Sequence, residues 1–130
     1  MAPRLNLVGI IVQDMAVALE FYRQLGLAIP AGMEKEDHAE ITLPNGLRIA
    51  WDSASLIKSI DEHWTPASGG HKMNLAFLCD NPAYVDATYK RLTDAGYTGL
   101  KPPWDAFWGQ RYAQVLDPDG NPVDLFAPLG

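Results

Sequence analysis

At 130 residues, with a hydrophobic fraction of 48% and 20% charged residues, the chain has the size and composition of one folded domain with a single core. Its formal charge of −6 comes with no basic run, which argues against nucleic acid as a partner, since a phosphate backbone would be repelled over most of the surface. No stretch approaches the roughly 18 apolar residues of a membrane helix, the opening Met-Ala-Pro-Arg has neither an apolar h-region nor a cleavage site, and the single Cys79 has no internal partner; these features predict a cytoplasmic protein with no membrane partner.

Along the chain, Leu5–Val12 is an apolar run closed by Gln13-Asp14 and reads as a largely buried strand. Asp14 then stands at an N-cap, and Met15, Ala18, Tyr22 and Leu25 form one stripe of an amphipathic helix that stops at Gly26. After a charged loop, Ala39–Leu43 and Leu47–Asp52 read as short strands around Pro44-Asn45-Gly46, a strong hairpin signal. The connector 53–71 holds a possible short helix over Ser55–Glu62 and a flexible stretch at Pro66–Gly70. The order then restarts. Lys72–Cys79 reads as a strand, Asn81 as a cap, and Pro82 as a first-turn residue. Val85, Tyr89 and Leu92 recur at helical spacing up to Gly96. Arg111–Leu116 and Pro122–Phe126 are strands around Asp117-Pro118-Asp119-Gly120-Asn121.

The two halves superpose in order. Leu7 matches Asn74, Val12 matches Cys79, Gly26 matches Gly96, and Gly46 matches Gly120. Such a repeat of strand, cap, helix, glycine and hairpin points to a duplicated unit.

The segments VGIIVQDM (Val8–Met15), ALEFYRQLGL (Ala18–Leu27) and WGQRYAQVLDPDGNPVDLF (Trp108–Phe126) resemble the vicinal oxygen chelate superfamily, in particular its glyoxalase and bleomycin-resistance branch. DPDGNPVDLF is the most specific of them. The resemblance implies an α+β fold of two βαβββ modules whose strands curl into a cup, with helices outside. The expected layout is a single domain over 1–130, with module one at about 5–53, a connector at 54–71 and module two at about 72–127. It also implies a homodimer, as members often are. The branch includes metal-dependent lyases, epimerases and dioxygenases alongside metal-free proteins that sequester antibiotics, so the fold does not choose among them.

In the enzymatic members, metal ligands occupy equivalent strand positions, which the resemblance carries onto Leu7, Ala50, Asn74 and Asp124. A divalent metal needs imidazole or carboxylate donors. Leu7 and Ala50 offer none, Asn74 only a carbonyl, and Asp124 one carboxylate; the expectation is therefore no metal and no cofactor. His38 begins a strand, and His63 and His71 lie in or beside the connector, without a metal-binding spacing.

Strand parity puts Leu7, Gly9, Asn74, Ala76, Asp124 and Phe126 on the cup face if the family positions face inward, together with Arg48 and Ala50. Trp51 falls on the opposite face and reads as packing. Trp104, Phe107 and Trp108 cluster in what reads as a loop beside a Pro-Pro pair, Tyr112 follows, and Trp64 lies in the connector. Flat aromatic surfaces suit a planar guest, and a cationic one is drawn to the same rings. The predicted ligand-binding set is Arg48, Trp64, Asn74, Trp104, Phe107, Trp108, Tyr112 and Asp124, with no catalytic residue. An Arg48–Asp124 salt bridge is the structural alternative for that pair. The leading expectation is metal-independent sequestration of a bulky aromatic small molecule, an antibiotic among the candidates. The alternatives are a glyoxalase- or dioxygenase-type enzyme with an atypical metal site, in which His38 or Glu40 joins Asp124, and an interaction module with a closed cup.

Overall fold

The computed structural model describes residues 2–71 and 73–130. They form two compact units, one made of the chain through Arg23 with Leu27–Ser68, the other of Gln24–Gly26 with Gly69–Gly130.

Unit one opens with β1 (Leu7–Val12) and with α1 (Met15–Leu25) as far as Arg23. The Asp14 carboxylate accepts from the Val17 N–H at 3.1 Å, so the predicted cap closes the helix start. Met15, Ala18, Tyr22 and Leu25 are all buried, as the stripe requires. Two antiparallel strands follow, β2 (His38–Thr42) and β3 (Arg48–Ser53), and β3 also runs parallel to β1, giving the order β1-β3-β2. Their turn is built on Gly46, whose φ of +90° only glycine adopts without strain. Trp51 is fully buried, with its ring 5.5 Å from that of Tyr22, so its packing role stands. α2 (Ala54–Ile60) is capped by the Ser53 side chain, which accepts from the Leu56 N–H, and it buries no residue.

Between α1 and β2 the chain makes turns where a further strand of a βαβββ unit would run. Arg23 explains the conformation. Its guanidinium donates to the carbonyls of Ile29 (3.0 Å) and Pro30 (2.8 Å) and pairs with Glu34 at 2.6 Å. The fan of contacts curls residues 26–34 around one side chain, leaving no straight segment to pair. Among the described residues, unit one is thus a three-stranded version of the repeat.

Unit two holds β4 (Leu75–Leu78), α3 (Pro82–Asp94), β5 (Gly99–Ala106), β6 (Gln110–Leu116) and β7 (Pro122–Pro128), in the sheet order β4-β7-β6-β5. Lys72, where the sequence places the start of β4, lies outside the described residues. Asn81 caps α3, accepting from the Tyr84 N–H at 2.9 Å, with Pro82 in the first turn. α3 packs on β5, β6 and β7 through Val85 and Leu92, against a sheet face that buries Ala113, Val115, Val123 and Leu125.

β5 corrects the reading of its segment as a loop. Pro102 and Pro103 lie inside the strand, where they lack the N–H a central strand must donate. The strand sits at the sheet edge, and its pairing with β6 shifts register between Gly99 and Lys101 and again between Lys101 and Trp104. Edge position and bulges together accommodate the two prolines.

The turn between β6 and β7 is organised by Asp117, which is buried. Its side chain accepts from the backbone N–H groups of Asp119 (2.9 Å) and Asn121 (2.8 Å) and from the Asn121 amide (2.9 Å). This accounts for the specificity of the DPDGN segment by turn chemistry.

The two sheets repeat the same parallel pairing. Gly9 faces Ala50 in unit one, and Ala76 faces Asp124 in unit two. These pairs are related by offsets of 67 in the first strand and 74 in the last, the offsets read from the sequence. Ala50 is therefore the register equivalent of Asp124, with no slip.

Candidate functional site

Six of the eight residues named from sequence belong to unit two, and the sheet gathers them. Tyr112 on β6 pairs with Trp104 on β5 and with Phe126 on β7, while Gln114 pairs with Asp124. Alternation along the strands then puts Trp104, Tyr112, Gln114, Asp124 and Ala76 on the face turned away from α3. Arg111, of opposite parity, pairs instead with Asp86 of α3 at 2.9 Å and with Asp105 at 3.0 Å.

The aromatic part of this face is a chain of edge-to-face contacts. Trp108 is its hub, with ring centroids 5.5 Å from Trp104, 4.9 Å from Phe107 and 5.4 Å from Tyr112. Phe107 and Trp108 sit at the β5–β6 turn and are 91% and 47% exposed. The Trp108 indole donates to Gln110 at 2.8 Å, which fixes the ring's tilt. Lys101 Nζ lies 5.0 Å from the centre of the Trp104 ring, a cation–π contact. The Trp104 indole N–H is buried without an acceptor.

The polar part centres on Asp124, which is only 5% exposed. Its carboxylate accepts from the Asn74 side-chain amide and from the Gln114 amide at 2.8 Å, and it engages the Tyr112 hydroxyl. Burial first, then the Asp124 carboxylate, push the Tyr112 phenol well above its ordinary range. Tyr112 joins the two parts, with its ring in the aromatic chain and its hydroxyl at the carboxylate. The donors recorded on Asp124 are neutral.

Arg48 and Trp64 belong to unit one. Arg48 donates to Asn6 at 2.8 Å and 3.2 Å and pairs with Glu40 at 2.9 Å. Trp64 is half-buried just beyond α2, with its N–H on the Asp61 carbonyl at 3.0 Å. The first-strand and last-strand positions of unit one are Leu7 and Ala50, which have no donor atom.

Sequence reading missed the polar face of unit one. His38 Nδ1 lies 2.6 Å from Asp52 and its Nε2 lies 3.0 Å from Glu40, which also holds Arg48. The hairpin signal at Asn45-Gly46 contained this pairing, since its register sets His38 opposite Asp52 and Thr42 opposite Arg48. An open recess, lined by Ala2, Arg4, Asn6, Asn45 and Leu47 among others, also belongs to unit one. It contains no buried side chain and none of the predicted residues.

The metal set implied by the family does not fit these residues. Leu7 and Ala50 are apolar, both Asp124 oxygens already accept from amides, and the two His38 nitrogens are taken by separate carboxylates. Among the described residues, no group of three or more His, Cys, Asp and Glu side chains is placed to hold a metal ion. Nor is any helix among them long and apolar enough to cross a membrane.

Comparison with known proteins places this geometry. Residues 4–125 match the family model described as Glyoxalase/Bleomycin resistance protein/Dioxygenase superfamily. An uncharacterised protein of Mycobacterium bovis is 29% identical over 126 residues, spanning 92% of this chain and 80% of the relative. A family enzyme from Burkholderia phytofirmans PsJN shares the fold with a TM-score of 0.83 at 21% identity, over 98% of this chain and 100% of that one. A glyoxalase-related enzyme from Fulvimarina pelagi gives 0.80 at 20% identity, over 97% and 88%.

Proposed function

Because the chain belongs to the glyoxalase/bleomycin resistance protein/dioxygenase superfamily, we propose that it binds a bulky aromatic small molecule without a metal, in the manner of the family's sequestering members. The observation that carries this reading is the partly exposed aromatic chain Trp104–Trp108–Tyr112 leading to the buried Asp124. Sequestration needs flat area and a few fixed polar anchors, and does not need an activated water or a Lewis acid. Trp108 and Phe107 supply accessible π surface. Asn74, Gln114 and Tyr112 hold the Asp124 carboxylate in one orientation, and these neutral partners among the described residues leave its negative charge to favour a guest bearing positive charge. Such a guest would also compete with Lys101 for the Trp104 ring. Antibiotics that join planar rings to a cationic tail match this description.

Titration with bleomycin-like, mitomycin-like and polycyclic aromatic compounds is expected to quench tryptophan fluorescence saturably. Trp108→Ala should weaken the best ligand by about 1 kcal/mol, or about fivefold. Stability should change little, because the ring is half exposed. No quenching across the panel would remove the proposal. So would a stoichiometric transition metal in protein purified without a histidine tag, which would favour the enzymatic reading.

A further inference from the structure

Unit one contains a titratable device that the proposed binding does not use. His38 stands at the start of β2, with its side chain 46% exposed and each ring nitrogen on a different carboxylate: Nδ1 on Asp52 at 2.6 Å, Nε2 on Glu40 at 3.0 Å. A carboxylate only accepts, so both contacts are hydrogen bonds together only when both nitrogens carry protons. The geometry is that of an imidazolium. Neutral imidazole keeps one N–H and must turn a lone pair toward the other carboxylate, which replaces an attraction by a repulsion.

The charged groups around the ring are Asp52 and Arg48 from β3, Glu40 from β2 itself, and Asp37 just before it. β1 contributes Leu7, Gly9 and Ile11 to this face, none of them titratable. α2 carries one titratable residue, Lys58, which makes no ion pair with the group among the described contacts. With His38 charged, two cations face the three carboxylates Asp37, Asp52 and Glu40; with it neutral, Arg48 alone faces them.

The position of the ring gives its charge a mechanical consequence. Asp52 precedes Ser53, the N-cap of α2, and Asp37 precedes His38. Ser53 donates its hydroxyl to Asp37 at 2.8 Å and its N–H to the Asp37 carbonyl at 2.9 Å, while its oxygen accepts from the Leu56 N–H at 3.1 Å. The rung that holds the start of β2 to the end of β3 is therefore also the rung on which α2 is capped. α2 has seven residues, none buried, so its anchorage depends heavily on this end.

We propose that His38 is a pH-dependent clasp: protonated, it tightens the start of β2 against the end of β3 and steadies the α2 cap, and deprotonation loosens that helix. The Asp52 hydrogen bond first, then that of Glu40, raise its affinity for the proton above the ordinary imidazole value. The sign follows. The stabilisation is fully present below the free-imidazole value of about 6.5 and is lost as pH rises through the raised one.

The test is an NMR titration of the whole wild-type chain, following the His38 ring together with the Leu56 and Asp61 amides at the two ends of α2. His38 should titrate above about 6.5, and both amides should shift with the same midpoint. Their hydrogen-exchange protection, corrected for intrinsic rates, should fall about twofold to fivefold across it, the range for an exposed ion pair. Asp52→Asn should lower the midpoint while α2 remains formed at low pH. A midpoint at or below that of free imidazole, or amides that show no inflection with the ring, would overturn the clasp whether or not Asp52→Asn folds.

Discussion

Replacing Asp124 by Ala removes, in one step, the acceptor of the Asn74 amide, the Gln114 amide and the Tyr112 hydroxyl. Asn74 is exposed and Gln114 and Tyr112 are half-buried, so water can replace part of what these donors lose; urea unfolding should show Asp124→Ala destabilised by about 1 kcal/mol, the low end of the range for lost hydrogen bonds. Asp124→Asn keeps the shape and removes the charge, which isolates the electrostatic part. The Tyr112 phenol, raised by burial and then by the carboxylate, should ionise at lower pH in that variant, as read by ultraviolet absorbance. In the wild type, the stability tied to this phenol is present below the unfolded value of about 10 and is lost as pH rises toward the raised one. Asp124 itself was legible in the sequence as the one acid at a cup-facing position. Its neighbours Asn74 and Tyr112 were named from the sequence with it; the role of Arg48 was not legible, and only the distances show that guanidinium taken by Glu40 and Asn6.

At the scale of elements, the turn between β6 and β7 makes a sharp prediction. Asp117→Ala deletes three hydrogen bonds within that turn and should lower stability by about 2 kcal/mol in chemical denaturation. Because β7 is an interior strand and carries Asp124, the loss should loosen the candidate site as well. Caps, glycine stops and both hairpins were legible in the sequence because each rests on local chemistry. β5 was not. Pro102-Pro103 reads as a breaker in any local window, and only a place at the sheet edge with two register shifts lets the strand continue. The loop after α1 was legible as a loop but its form was not, since Arg23 gathers carbonyls that no periodicity reveals.

For the molecule as a whole, the formal charge of −6 sets a field that favours positively charged ligands at long range. Raising the salt concentration from about 0.05 M to about 0.5 M shortens the Debye length roughly threefold. A cationic aromatic guest should therefore lose affinity severalfold in fluorescence titrations, whereas a neutral guest of the same ring size should not. Equal loss for both would assign recognition to stacking alone. The repeat itself shows how duplicated halves part company. Matching register positions carry Ala50 in one and a buried acid in the other, so an acid at that position of the last strand exists in unit two only.

The proline pair in β5 also governs how this protein meets its own kind. A border strand normally offers a ladder of free amide hydrogens on which a stray chain can template. Amide hydrogens alternate sides along a strand, so one proline of the pair removes a donor from the outer edge and the other removes one from the β6 side, where the pairing is irregular. The strand that leads to the highly exposed Phe107 thus offers a stray chain an interrupted template, which disfavours fibrillar stacking beside that sticky surface.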